Sequence, residues 1–330
     1  MKSRFGFLLL ATAVMGAPAL HAADSHDVRS PVLGFVLDAE AGTLHRVDGI
    51  PGASRVGDAL DLGFAVARAQ IAASQDFAIV TDTNGLNYWV NLSMSPPTAI
   101  AIDGAMAGAT GLLISPSGRS AALYSIEDGQ IQFIEGLPGA PTVGQARALI
   151  EGVGTWTAFA ISDMGVVLAA SSQGRSGSLY ALSANRPPYR VGSVQRASDL
   201  SFLPGGNDAV VADSDASEIV LIRSVSRWPR SMVLATAHDR VTNPFNVEAT
   251  ADGQFVAATI PGGIASIPTQ GGAVAITKCA CEPTDLAPLA GGNVFRLTTD
   301  IRAPMRIVEV GSNSRVLFVP ALAVEESLVQ

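Results

Sequence analysis

Four side chains able to hold a small polar ligand, Arg68, Asp199, Asn246 and Asp285, recur at one place in the chain, seven residues ahead of a tight turn. Gly111 and Ala158 take the same place in two further units. A guanidinium facing two carboxylates and a carboxamide would bind a small polar molecule or a cation. The same side chains would equally serve to cap their own strands by bonding backbone in the entry loop. A second candidate is "SRWPRSM", in which Arg227, Trp228 and Arg230 fall in a loop or outer edge. It reads either as a protein-contact anchor or as an arginine stacked on a half-buried ring. The third is Cys279-x-Cys281, the only two cysteines. On a strand, residues two apart share a face with Cα atoms nearly 7 Å apart, the outer limit for a disulfide. A local disulfide helped by a kink at Pro283, two packed thiols, and half of a soft-metal site all stay open. The metal site would need His45, His238 or a carboxylate to complete it.

Catalytic constellations are missing. The chain has four histidines, at 21, 26, 45 and 238, without a His-x-His or His-Glu-x-x-His spacing. No Gly-x-Ser-x-Gly elbow presents a serine, and "GLPGAP" and "GGIASIPTQGG" read as turns, not phosphate cradles. No metal and no cofactor are expected on this basis. Tyr88, Trp89, Phe133, Trp156, Phe159, Tyr180 and Trp228 offer a carbohydrate platform or, more simply, core. In "LNYWVNL" the two-residue period sends Tyr88 and Trp89 to opposite faces of one sheet.

The elements that must position these residues are short strands. Only 15% of residues are charged, 48% are apolar, and 33 glycines and 19 prolines are spread evenly along the chain. That composition suits many strands joined by tight turns around a large core. "DLSFLPGGN" at 199 returns as "DLAPLAGGN" at 285, and "DGIPGASRVG" at 48 returns as "EGLPGAPTVG" at 135, offsets of 86 and 87. Half of that offset is the length of a four-stranded propeller blade. Six strand-turn-strand units follow from about residue 66, and "PVLGFVLDAEAGTLHRVDG" (31–49) supplies a seventh whose innermost strand is unclear. The expected fold is an all-β, seven-bladed propeller of four-stranded blades, with six blades as the fallback count. Ring closure should bring "SRVLFVPAL" (314–322) beside the first unit. Two β-sandwich domains would account for the strands but not for the regular offset.

"ISPSGRSAALYSIEDGQIQFIEGL" resembles the repeat of the YVTN, NHL and lactonase-like propellers, in which a strand enters Ser-Pro-Asp-Gly-Arg and two further strands follow. The resemblance covers most of the chain beyond the leader and implies the superfold. That superfold hosts both binding proteins and enzymes.

Lys2 and Arg4 ahead of the apolar run Phe5–Gly16, then "APALHAAD", read as an export signal over residues 1–22, leaving 23–330 as one propeller domain. A periplasmic or secreted monomer is expected, without membrane insertion. The formal charge is −8, two units more negative once Lys2 and Arg4 are removed, and no basic cluster marks a nucleic-acid track. Two functions follow: a binding scaffold for a protein or glycan partner, or a lactonase-like hydrolytic propeller using the polar channel mouth, with calcium in that alternative.

Overall fold

The computed structural model describes residues 30–322; the export signal expected at 1–22 and His26 lie outside them. Seven antiparallel sheets succeed one another along the chain, each a blade, and five have four strands. The innermost strands of blades 2 to 7 are Val66–Ile71, Gly111–Ile114, Thr155–Ile161, Ala197–Phe202, Asn246–Ala249 and Ala287–Pro288. In blade 3 the outer position is split between Thr142–Val143 and Arg147–Ala148, both pairing with Gln130–Glu135.

The core lies between blades, where the faces of neighbouring sheets meet. Phe77, Ile79 and Trp89 of blade 2 pack against Leu123 and Ile134 of blade 3. Tyr88, one residue from Trp89, points the other way and stacks on Phe64, ring centroids 4.3 Å apart. The sheet's two-residue alternation therefore feeds both faces of one blade. Each blade is apolar on both sides, which is why the strands read as near-continuous apolar runs.

Blade 1 shows three strands among the described residues. It consists of Val32–Asp38, Thr43–Ile50 and Ala53–Ala59, in that order. Its first strand matches the second strand of the other blades. Asp38 accepts from the amides of Glu40 and Ala41 at the turn that follows, as Asp82 accepts from Asn84 and Leu86 in blade 2. The copy "EGLPGAPTVG" likewise spans the third and outer strands of blade 3. Among the described residues no strand lies inside Val32–Asp38.

Gln75 reaches past the inner end of blade 1. It occupies the innermost turn of blade 2 at φ 61°, where blades 3, 4, 6 and 7 have Gly118, Gly165, Gly253 and Gly292 in the same left-handed conformation. Its Nε2 donates to Ala72 O at 3.0 Å and to Pro288 O of blade 7 at 2.9 Å. Blades 2 and 7 thus touch across the narrow end of blade 1. Among the described residues the ring closes by packing and side chains: Leu33, Val36 and Val47 meet Leu289, Met305 and Val319, with Leu317 and Leu322 alongside. Arg302 of blade 7 forks onto Asp38 at 3.0 Å and reaches Glu40 at 2.8 Å.

Candidate functional site

The inner strands enter the ring from one rim and line a central channel of about 370 Å³, from Asp199, Asn246 and Asp285 near their entries to Ile71, Ile114, Ile161 and Phe202 at their ends. A β-bulge precedes Arg68, Ala158 and Asp199, so each inner strand is kinked as it enters the sheet. The hydroxyls of Thr157 and Ser198, just ahead of two of these positions, bond carbonyls of the neighbouring strand and fix the kink. Asp199, Asn246 and Asp285 all line the channel, together with Gln70, Ser201, Glu248 and Arg296.

Asp199 is ringed by protein. Its carboxylate accepts from the Val247 amide at 2.9 Å. Burial pushes its pKa up to about 7, against the pull of the Val247 and Leu200 amides and with help from the charge of Asp285. Glu248 follows Asn246 by two residues on the same strand and so faces the same channel. It accepts from Ser201 Oγ at 2.8 Å and the Ala249 amide at 3.2 Å. Burial pushes it up to about 8, opposed by the Ser201 hydroxyl and reinforced by Asp199. At neutral pH this acidic pair retains a proton.

Asp285 is held otherwise. Arg296 bonds it through Nε at 2.8 Å and Nη2 at 2.6 Å and donates from Nη1 to Phe35 O at 3.2 Å. The ion pair therefore also satisfies the inner edge of blade 1. Arg68 is exposed and donates to Ala109 O at 2.6 Å, so its guanidinium is tied to the rim of blade 3.

An aromatic ledge borders the polar groups. A Cβ at Gly111 would fall 2.0 Å from the Tyr124 ring, so only glycine lets that ring lie across the entry of blade 3. Tyr124 stacks on Phe159 at 4.3 Å, Trp156 leans on Phe159 at 5.6 Å, and Tyr180 meets Trp156 edge-on at 5.9 Å. Burial raises the Tyr124 phenol pKa, with Asp199 adding and Arg68 opposing, which puts the phenol within electrostatic reach of both.

Glu248, Arg296 and Tyr124 were missed in the sequence. Glu248 was within reach, since alternation places the residue two beyond Asn246 on the same side. Arg296 sits on a second strand and Tyr124 opposite a glycine, and neither has a local signal.

The other sequence candidates lie apart. Trp228 is 80% exposed, which excludes the half-buried stacked alternative, and it stands with Arg227 and Arg230 at the rim on which the inner strands end. Cys279 and Cys281 follow the outer strand Ala275–Lys278 and are joined by a disulfide with Cα atoms 5.0 Å apart. His45 is buried in blade 1 between Gly57 O and Thr43 Oγ1, each at 3.0 Å, and His238 belongs to a short exposed turn. Neither lines the channel. Among the described residues no group of three or more His, Cys, Asp or Glu side chains is spaced to hold a metal ion.

No protein-family model and no curated protein sequence matches the chain. Solved structures do. A protein of unknown function from Desulfotomaculum acetoxidans aligns with a TM-score of 0.61 at 14% identity, covering 88% of this chain and 100% of that one. A 6-phosphogluconolactonase-like protein from Bacteroides fragilis aligns at 0.58 and 11% identity, over 88% and 94%. Virginiamycin B lyase from Staphylococcus aureus aligns at 0.55 and 13% identity, over 78% and 84%. At these identities the likeness is one of fold: the chain is a seven-bladed β-propeller similar to the YVTN, NHL and lactonase-like group.

Proposed function

We propose that the protein is an exported binding propeller whose ligand site is the channel mouth and whose ligand is the end of a glycan. The observation that carries this reading is the meeting, in one channel, of Asp199, Asn246, Glu248 and Asp285 with the ring of Phe159, against which Tyr124 and Trp156 pack. Hydroxyl-rich rings are held by carboxylate and amide hydrogen bonds along their edges and by an aromatic surface against their apolar face. A channel of about 370 Å³ is at the small end of ligand cavities and suits one sugar unit more than a long chain. The half-retained proton helps, because a protonated Glu248 donates where a carboxylate only accepts. In this reading the propeller works as a monomer in the periplasm or the medium.

The test is titration with a panel of neutral and acidic oligosaccharides, read by tryptophan fluorescence and calorimetry. Binding by at least one sugar, weakened tenfold or more by Asp199→Asn and by Phe159→Ala, is expected. A panel without binding, or binding indifferent to both changes, sinks the reading.

A second reading rests on Glu248. A carboxyl group titrating near neutrality beside a second one is placed for proton transfer in lactone or ester hydrolysis. Calcium does not fit it well, because Asp285 is already paired with Arg296 and no three-ligand group is at hand. Turnover of small lactones, abolished in Glu248→Gln while sugar binding persists, would favour hydrolysis over binding alone.

A further inference from the structure

The rim on which the inner strands end is uneven around blades 4 and 5. Two depressions of about 450 and 590 Å³ lie on this rim, and both are lined by Asn207 and Ser226. Met164 and Tyr189 border the first; Arg227, Trp228 and Arg230 border the second. Trp228 and Met164 are 80% and 70% exposed, the most exposed large apolar side chains among the described residues.

Trp228 is also strained. It sits at φ 56° with Ser224 at φ 55° in the same turn. A bulky residue in that conformation costs about 1–3 kcal/mol, which its own packing does not repay when the ring stands in solvent. Asn207 donates to Ser226 Oγ at 2.9 Å, but its buried Oδ1 has no partner and is set to receive a donor. Arg223 pairs with Asp208, whereas Arg227 and Arg230 have no carboxylate partner among the described residues, on a chain of formal charge −8.

We propose that this groove docks an extended, acidic segment of a partner protein. An apolar side chain would enter the depression beside Met164 and Tyr189, carboxylates would meet Arg227 and Arg230, and Trp228 would close over the segment. A main-chain N–H would supply the donor that Asn207 Oδ1 lacks. Two-fold pairing with a second copy would set Arg227 and Arg230 against themselves, so self-association does not suit the patch. An anionic polysaccharide would satisfy the arginines but offers no side chain for the depression.

The experiment is selection of displayed random 12-residue peptides on the full exported protein, with circular dichroism as the folding control. The wild type should enrich peptides that combine acidic and apolar residues. Synthetic winners should bind at least tenfold more weakly to Trp228→Ala and to the Arg227→Glu/Arg230→Glu double variant, and more weakly as salt rises. Asp199→Asn should leave their affinity unchanged, which separates this groove from the channel site. The proposal is overturned by a lack of enrichment, by enrichment that survives both folded variants, or by binding to an anionic polysaccharide without any peptide binding. Concentration-dependent dimerisation lost in Trp228→Ala would also overturn it, in favour of a second copy as the occupant.

Discussion

A carboxyl group largely walled in by protein holds its proton until the solution becomes basic enough to force it off, and Asp199 and Glu248 are two such groups facing one channel. Both titrate higher in the folded chain, at about 7 and about 8, than in an unfolded one, where values near 4 are normal. The folded state therefore binds more protons between those limits. Stability is greatest on the acid side and falls as pH rises from about 5 to 8. Below that window burial pushes Asp82 and Asp163 up, but hydrogen bonds outweigh it and hold both below their ordinary value, so their contribution falls in acid. Thermal melts should show a higher Tm at pH 5.5 than at pH 8, and Glu248→Gln should flatten that slope; an unchanged slope would mean the channel stays fully hydrated around Glu248. Gly111→Ala should cost about 1–3 kcal/mol and displace Tyr124, because the added methyl meets the ring. Of this site, Asp199, Asn246 and Asp285 were legible in the sequence because the repeat stacks them at one position. Tyr124 was not, since what admits it is an absent side chain on the neighbouring strand.

A strand is recognised in sequence by its pattern, but its rank within a blade depends on what pairs with it. "VLGFVLD", turn, "TLHRVDGI" reads the same whether it is the first and second strands of a unit or the second and third. Seven units were thus legible from spacing, while the rank of Val32–Asp38 within blade 1 was not. Gln75 tests the consequence. Were it only a turn residue, Gln75→Gly would stabilise by about 1 kcal/mol through relief of the left-handed backbone. Because Nε2 bridges Ala72 and Pro288, the change should instead destabilise by about 1–2 kcal/mol, two lost hydrogen bonds and a small void outweighing the relief. Denaturant unfolding gives the sign. The disulfide acts at the same scale. It closes a loop of three residues between the outer strand of blade 6 and the entry to blade 7, so its reduction should cost no more than about 2 kcal/mol. A much larger loss on mild reduction would show that Cys279–Cys281 secures the approach to Asp285 and not merely its own loop.

The whole molecule is a ring with one seam. Blades 7 and 1 are tied by Arg302 on Asp38 and Glu40 and by the Ala290 amide on Leu33 O, and blade 1 shows no strand inside Val32–Asp38 among the described residues. Asp38 is 8% exposed on its side chain, so Arg302→Ala leaves a buried carboxylate without its cation. Hydrogen exchange should quicken first in Val32–Asp38 and Met305–Glu309, with Val166–Gln173 unaffected; uniform quickening would mean that the ring opens as one unit. The seam has one more consequence. Among the described residues no strand crosses from one end of the chain into a sheet at the other, and each sheet is built from a single uninterrupted stretch of sequence. A gene rearranged to begin at the exposed turn around Gly152, with its former ends joined by a linker, would still encode seven whole blades, and translation could start at any of the gaps between them.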